Sequence, residues 1–141
     1  MDFEIRHQPS YALLAVVCGF DGIFETWDRV NADREGAAIE SNLLPLAAVG
    51  AGLTVDGEPE YAAGVPAAPG VFYRDYRRVQ VPPGRYAVVA GPADFSQIGT
   101  TFDALTAAAT EAGHEPRERV ELYYGPPDGH PERYDLCVRL A

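Results

Sequence analysis

One carboxylate lies in the middle of an apolar segment near the carboxyl end of the chain. The segment reads Val120-Glu121-Leu122-Tyr123-Tyr124. A buried carboxylate without a partner costs several kcal/mol, so a glutamate in this position predicts either an ion pair or a functional task. Alternation along a strand places Glu121 and Tyr123 on one face and the other three side chains on the opposite face.

Glu121 and Tyr123 could support two kinds of chemistry. A desolvated carboxylate beside aromatic rings attracts a flat cation, because each ring adds about 0.5–2 kcal/mol and the acid adds charge pairing at low dielectric. The same surroundings raise the pKa of the acid, which a general acid or base near neutral pH requires. The structural alternative is an ion pair of Glu121 with Arg139 or Arg85. Tyr123 alone is as typical of packing as of function.

Composition and charge indicate one domain and exclude some classes of partner. The chain has 141 residues, a net charge of −10 and 11 basic residues, all of them arginine. Phosphate binding needs a basic stripe. The patch of Arg74, Arg77 and Arg78 is short and interrupted by Asp75, so we interpret it as a solvated edge and expect no nucleic-acid partner. No apolar run approaches the ~20 residues of a membrane span, and the N-terminus lacks signal-peptide features. We therefore expect a cytoplasmic protein without membrane contact.

The cysteines and histidines do not suggest a metal or redox site. Cys18 and Cys137 lie far apart in apolar segments, so we predict free, packed thiols. The histidines at positions 7, 114 and 130 share no ligand spacing. We expect no metal and no cofactor.

The first half of the chain predicts strands around one or two helices. Residues 3–7 alternate and residues 11–18 are apolar throughout, which is typical of a half-buried strand followed by a central strand. Asp21 could cap a short helix that carries Phe24 and Trp27. A weaker helix capped by Asp33 would run toward position 43. A hairpin is predicted with Asp56-Gly57 as its turn, between residues 53–55 and 61–65.

The second half gives a clearer pattern of the same order. Strands are predicted at residues 76–81 and 85–90, and again at 119–124 and 134–140. Between the two pairs, Asp94 and Gln97 resemble a capping box, and Gly113 predicts the helix end. The helix stripe consists of Phe95, Ile98, Phe102, Leu105, Ala109 and Ala112. We predict an α+β fold of duplicated strand-helix-strand-strand units, in halves 1–68 and 71–141, with an antiparallel sheet and two main helices on one face.

Alternation also predicts which side chains face the helices. Val120, Leu122 and Tyr124 should meet the helices, so that Glu121 and Tyr123 line a groove. On the last strand, Leu136, Val138 and Leu140 should face the helices, with Cys137 and Arg139 opposite. For residues 86–90 the inward face stays open.

A set of motifs in fixed order resembles the GyrI-like small-molecule-binding family. The motifs are Tyr61-Ala-Ala-Gly-Val-Pro, Val81-Pro-Pro-Gly-Arg-Tyr-Ala-Val, Gly91-Pro, Ile98, Thr101, Phe102, Gly113 and Glu121-Leu-Tyr123. The resemblance extends over residues 61–140, and the first sixty residues match loosely. The same domain is the effector-binding half of AraC-type and MerR-type multidrug regulators. With no helix-turn-helix segment ahead of it, this chain resembles the stand-alone form.

The resemblance implies a ligand groove between the two halves, with a glutamate at its base. Carried over, Glu121 takes the glutamate position and Tyr123 the tyrosine position. Trp27, Tyr61 and Tyr86 are candidate aromatic walls, although each could instead belong to the core. Tyr11 and Phe102 are assigned to the core.

Three functions follow as hypotheses from the resemblance. The first is binding of aromatic, often cationic, drug-like molecules for sequestration or sensing. The second is hydrolysis of cyclopropane-bearing alkylating antibiotics, an antibiotic-resistance function in which Glu121 activates water and Tyr123 positions or protonates the substrate. The third is inhibition of DNA gyrase by an acidic surface. The expected partner is a small-molecule ligand, and the expected state is a monomer or homodimer.

Overall fold

The computed structural model describes residues 1–36, 46–126 and 129–141. Within them the chain forms eight strands, two α-helices and a 3-10 turn at Phe95–Gln97. The strands are β1 (Glu4–Gln8), β2 (Tyr11–Cys18), β3 (Leu46–Val55), β4 (Glu58–Pro66), β5 (Arg77–Val81), β6 (Gly84–Ala90), β7 (Pro116–Tyr124) and β8 (Arg133–Leu140), and the helices are α1 (Ile23–Glu35) and α2 (Ile98–Glu111).

The eight strands form one antiparallel sheet in the order β1-β6-β8-β7-β3-β4-β2-β5. The predicted α+β class with an antiparallel sheet is confirmed. β7 and β3 pair at the centre, and β8 and β6 follow on one side as β4 and β2 follow on the other. The edge strands are exchanged, because β1 pairs with β6 and β5 pairs with β2. Each half of the chain therefore contributes the outermost strand beside the other half.

The sheet is strongly curved, as the short connections at its ends require. The chain passes from β1 to β2 through Pro9 and Ser10, although these strands stand six positions apart in the sheet. Six strand spacings in a flat sheet would span about 30 Å, whereas a two-residue connection reaches roughly 10 Å. Curvature brings the two ends together. The face it encloses carries buried residues from seven strands, among them Leu13, Val49, Val81, Tyr86, Val120, Leu122 and Cys137.

Both helices lie on the opposite face of the sheet. Val30 of α1 packs with Leu14 and Val65, and Leu105 of α2 packs with Leu136 and Val138. Residues paired across adjacent antiparallel strands share a face. One such row runs from under α1 to under α2 through Ala63, Gly50, Glu121 and Leu136. Glu121 therefore lies on the helix face, in the interval between the two helices.

The predicted orientation of β7 was wrong in one respect. Glu121 and Tyr123 do share a face, but that face is the one that carries the helices. Val120 and Leu122 lie in the cluster that the curved sheet encloses. The prediction for β8 is confirmed, because Leu136, Val138 and Leu140 pack under α2. Both faces are apolar and buried, so alternation separates the two sets of β7 without showing which set meets the helices.

Local predictions agree with the structure at turns and differ at some helix and strand ends. Asp56-Gly57 forms the turn between β3 and β4 with both residues at positive φ. β3 begins at Leu46, well before position 53. Asp94 caps the 3-10 turn by accepting from the Ser96 amide, 2.9 Å away, but α1 begins after Gly22 without a side-chain cap, so the cap predicted at Asp21 was wrong.

The Asp33 prediction was also wrong, and part of it lies outside the described residues. Asp33 is inside α1, where its carboxylate accepts from the Tyr76 hydroxyl at 2.7 Å. The weaker helix predicted beyond it falls on positions 37–45, which are outside the described ranges.

No helix within the described residues is long and apolar enough to cross a membrane.

Tyr86→Phe tests the packing of the cluster that the curved sheet encloses, on the face without helices. The Tyr86 hydroxyl donates to the Pro82 carbonyl at 2.6 Å, in the link between β5 and β6. Loss of this bond should lower the free energy of unfolding by about 1 kcal/mol. Thermal or urea unfolding measures the change, and Tyr73→Phe is the control, since the Tyr73 hydroxyl has no hydrogen bond in the described structure. Equal stability of Tyr86→Phe and wild type would contradict this role.

Candidate functional site

A cavity of about 1630 Å³ opens on the helix face of the sheet, between α1 and α2. Its floor includes Glu121 and Tyr123 of β7, Tyr61 of β4 and Tyr134 of β8. Trp27 of α1 forms part of one wall, and the start of α2 with the 3-10 turn before it forms part of the other. The symmetric order of the strands explains this position, because β3 and β7 meet between the two helices.

The Glu121 carboxylate is held by tyrosine hydroxyls. The Tyr123 hydroxyl donates to Oε1 at 2.7 Å, and the Tyr61 hydroxyl lies 2.9 Å from Oε1 and 3.0 Å from Oε2. Trp27 Nε1 in turn donates to the Tyr61 hydroxyl at 2.9 Å. The Tyr61 hydroxyl thus accepts one bond and donates one. Oε2 is the oxygen with capacity left for another donor.

Burial raises the pKa of Glu121 above its ordinary value, and the hydrogen bonds from Tyr123 and Tyr61 partly oppose that rise. Burial also raises the pKa of Tyr61 and of Tyr123, and the nearby Glu121 charge adds to both shifts. Both tyrosines therefore stay protonated at neutral pH and act as donors toward the carboxylate.

The alternative of a structural ion pair is not what the structure shows. Arg139 pairs with Glu118, with the second contact of that pair at 3.1 Å. Arg139 is opposite Tyr86 in the β6–β8 register, on the helix-free face. Across the described ranges, neither Arg85 nor any other basic side chain forms an ion pair with Glu121. The acid is left with neutral partners and the cavity.

Aromatic rings surround the acid in a connected series. The Trp27 ring meets Tyr123 edge-on, with centroids 5.3 Å apart. Tyr123 stacks on Tyr134 at 5.2 Å and an interplanar angle of 14°, and Phe95 lies against Tyr134 at 5.3 Å. Phe20 packs near Tyr61 at 6.5 Å. Rings in such contact present both faces and edges to a ligand in the cavity.

The structure brings four of the five predicted ligand-binding residues together. Glu121, Tyr123, Trp27 and Tyr61 all line the cavity. Tyr86 does not, and its prediction was wrong: the side chain is 1% exposed and lies in the cluster on the other face. Neighbouring strand residues point to opposite faces, and the sequence did not show which face of β6 meets the cavity.

Sequence reasoning missed several aromatic residues of the cavity. Tyr134 lies directly opposite Tyr123 in the β7–β8 register, so the predicted pairing of these strands could have identified it. Phe20, Phe24 and Phe95 line the cavity and are 56%, 86% and 66% exposed. Exposed phenylalanines grouped around one cavity are typical of ligand-binding grooves.

Two glycines make room for the tyrosines of the floor. A Cβ on Gly50 would lie 2.1 Å from the Tyr61 hydroxyl and 3.1 Å from Glu121 Oε1. A Cβ on Gly91 would lie 2.2–2.5 Å from the Tyr134 ring. The Tyr61 and Tyr134 side chains therefore occupy the space that a side chain at position 50 or position 91 would fill. Gly50 is the residue that allows Tyr61 to reach the acid.

The remaining titratable groups do not form a metal site in the described ranges. No group of three or more His, Cys, Asp or Glu side chains there could hold a metal ion. Cys18 and Cys137 are free, as predicted; Cys137 is buried and Cys18 is partly buried.

Solved structures share the fold of this chain at low sequence identity. No family model and no curated protein matches the sequence. SAV2435 bound to tetraphenylphosphonium is 14% identical, with a TM-score of 0.75, over 100% of this chain and 94% of that one.

Two further structures are similar over nearly their whole length. A putative bacterial transcription regulation protein from Staphylococcus aureus MU50 is 16% identical, with a TM-score of 0.71 and coverage of 99% and 98%. An integron cassette protein from the mobile metagenome of Vibrio cholerae is 9% identical, with a TM-score of 0.60 and coverage of 99% and 95%. These likenesses establish a common fold.

Gly50→Ala should disrupt the Trp27–Tyr61–Glu121 chain of hydrogen bonds. The added methyl group displaces the Tyr61 hydroxyl, so we expect a loss of roughly 1–3 kcal/mol in unfolding free energy and a changed Trp27 fluorescence. Tyr61→Phe should cost less in the Gly50→Ala background than in wild type. Gly99→Ala is the control, because an added Cβ there meets nothing within 4 Å. Additive costs in the double variant would refute the link.

Glu121→Gln should stabilise the protein increasingly as pH rises. Because burial raises the pKa of Glu121 above its ordinary 4.5, the folded protein retains a proton that the unfolded chain has released in the interval between the two pKa values. Wild-type stability therefore falls as pH rises through that interval. The Glu121→Gln variant does not show this fall, because glutamine does not titrate. Urea unfolding from about pH 4 to about pH 8 should show the gap between variant and wild type widening toward neutral pH.

Asp94→Asn is the control with the opposite sign. The hydrogen bond from Ser96 lowers the pKa of Asp94 below its ordinary value, so its contribution is present above that value and is lost as pH falls. A stability gap for Glu121→Gln that is independent of pH would refute the assignment of a raised pKa.

Proposed function

We propose that this protein binds aromatic organic cations in the cavity between α1 and α2, as a GyrI-like domain that sequesters or senses them. One observation carries the proposal: Glu121 faces the cavity among aromatic rings and has tyrosine hydroxyls, not a basic side chain, as its partners. A charge so placed lacks compensation that a cationic ligand would supply.

The energetics favour a cation with flat rings over a neutral or anionic ligand. Near a partly buried carboxylate, a charge about 5 Å away gains roughly 3 kcal/mol at an effective dielectric of 20. Ring contacts with Trp27, Tyr123 and Tyr134 add stacking and cation–π attraction. The chain's net charge of −10 attracts cations to the cavity from solution.

The shared fold supports this class of ligand. SAV2435, which covers the whole length of this chain in the comparison, was solved with tetraphenylphosphonium bound. Tetraphenylphosphonium is a lipophilic cation with four rings, and it suits a cavity of this volume with the Glu121 carboxylate in its floor and several aromatic walls.

Hydrolysis of cyclopropane-bearing antibiotics depends on the same acid and stays a prediction. Its specific support is the raised pKa of Glu121, which a general base near neutral pH requires. Oε2 has capacity to accept a proton from water, and the Tyr123 hydroxyl donates to Oε1 of the same carboxylate. Gyrase inhibition likewise stays a prediction, with net charge as its support.

Tetraphenylphosphonium and tetraphenylborate test the proposal as a pair, because they have the same shape and opposite charge. We expect the cation to quench Trp27, the one tryptophan, and to bind much more tightly than the anion. Glu121→Gln should lower affinity for the cation about tenfold or more and leave the anion unaffected or slightly improved. Calorimetry or fluorescence titration measures both.

Glu111→Gln is the matched control, since it removes one negative charge from an exposed position of α2 outside the cavity. It should change cation affinity by less than about twofold at physiological salt. Equal losses in Glu121→Gln and Glu111→Gln would show that net charge, not the site, attracts the ligand. Absence of any cation binding to wild type would refute the proposed function.

A further inference from the structure

A basic residue occupies the floor of the same cavity two positions before the acid. Arg119 is opposite Val138 in the β7–β8 register, and Glu121 is opposite Leu136. Val138 and Leu136 both pack under α2. Arg119 and Glu121 therefore share the helix face of β7, and both line the cavity.

Only part of the hydrogen-bonding capacity of the Arg119 guanidinium is used within the described structure. Its Nη2 donates to Asp103 Oδ1 at 2.9 Å and is 3.3 Å from the Thr106 hydroxyl. Its Cζ lies over the Phe102 ring, 5.3 Å from the centroid. Nε and Nη1 have no hydrogen bond in the described structure. The Asp103 side chain is 74% exposed, and ion pairs with so exposed an acid are weak.

Arg119 and Glu121 do not neutralise each other. No ion pair joins them, and Cα atoms two residues apart on a strand are separated by roughly 6.5–7 Å. The floor of the cavity thus presents a negative group and a positive group on one face, with a gap between them. A ligand with two charges of opposite sign could bridge that gap.

We propose that Arg119 forms an anion-accepting subsite, so that the cavity takes zwitterionic aromatic ligands with the cationic rings at Glu121 and a carboxylate at Arg119. The cationic end of this inference rests on the proposed function. A guanidinium binds a carboxylate through two parallel N–H groups. At Arg119, Nη1 together with Nη2 supplies such a fork, in which Nη2 is shared with Asp103. Phe102 beneath the guanidinium limits its motion and excludes water from one side.

The structural alternative is that Arg119 only ties β7 to α2 through Asp103. Asp103→Asn separates the two roles, because it removes the same ion pair and leaves the guanidinium in place. If Arg119 only links β7 to α2, Arg119→Gln and Asp103→Asn should have equal effects on ligand binding. If it is a subsite, Asp103→Asn should preserve or improve carboxylate binding, since a competing acid has been removed.

Rhodamine B and its methyl ester are the probes, since they share the cationic ring system and differ in one free carboxylate. Dye fluorescence anisotropy gives both affinities. We expect Arg119→Gln to weaken rhodamine B about tenfold, as loss of a charge-assisted hydrogen bond would, and to change the ester less than about twofold. Arg119→Lys should recover part of the affinity, because lysine restores charge without the fork. Arg77→Gln, remote from the cavity, should change neither dye.

Two results would overturn the subsite while leaving the proposed function intact. One is an unchanged ratio of the two affinities in Arg119→Gln, with both dyes still dependent on Glu121. The other is an equal loss of rhodamine B binding in Asp103→Asn. If neither dye nor tetraphenylphosphonium binds to wild type, the proposed function and the subsite fail together.

Discussion

The candidate site depends on one carboxylate, that of Glu121, whose hydrogen-bond donors are neutral hydroxyl groups. Glu121 accepts hydrogen bonds from Tyr61 and Tyr123, and Trp27 fixes Tyr61 by donating to it. Hydroxyl donors reduce the cost of burying a carboxylate but supply no positive charge. The arrangement keeps the acid in place and leaves its electrostatic demand to be satisfied from the cavity.

The rest of the fold provides the space and the backbone for that contact. The curved sheet buries one face without helices, so both helices are available to form walls on the other face. β3 and β7 meet between the helices, and Gly50 on β3 leaves the gap through which Tyr61 reaches across to β7. A single methyl group at that position would occupy the space of the hydroxyl.

Local features of the fold followed from the sequence, and long-range ones did not. The Asp56-Gly57 turn, the buried α2 positions Phe102, Leu105 and Ala109, and the shared face of Glu121 and Tyr123 depend on neighbouring residues, whose periodicity is visible in the chain. Phe95, predicted in the same stripe, lies instead in the exposed 3-10 turn before α2. The side of the sheet that meets the helices depends on curvature, and so the placements of Val120, Leu122 and Tyr86 were wrong. Tyr134 and Arg119 gain their importance from strand register, which joins residues distant in sequence.

The exchanged edge strands limit how the molecule can adapt. β1 pairs with β6 at one edge of the sheet, and β5 pairs with β2 at the other. Each half of the chain is therefore hydrogen-bonded to an edge strand from the other half. A hinge between the halves would have to break strand hydrogen bonds at both edges at once. Under the proposed function, ligands of different size would then be accommodated by rotation of exposed cavity side chains such as Phe20, Phe24 and Phe95, and not by a change in the sheet.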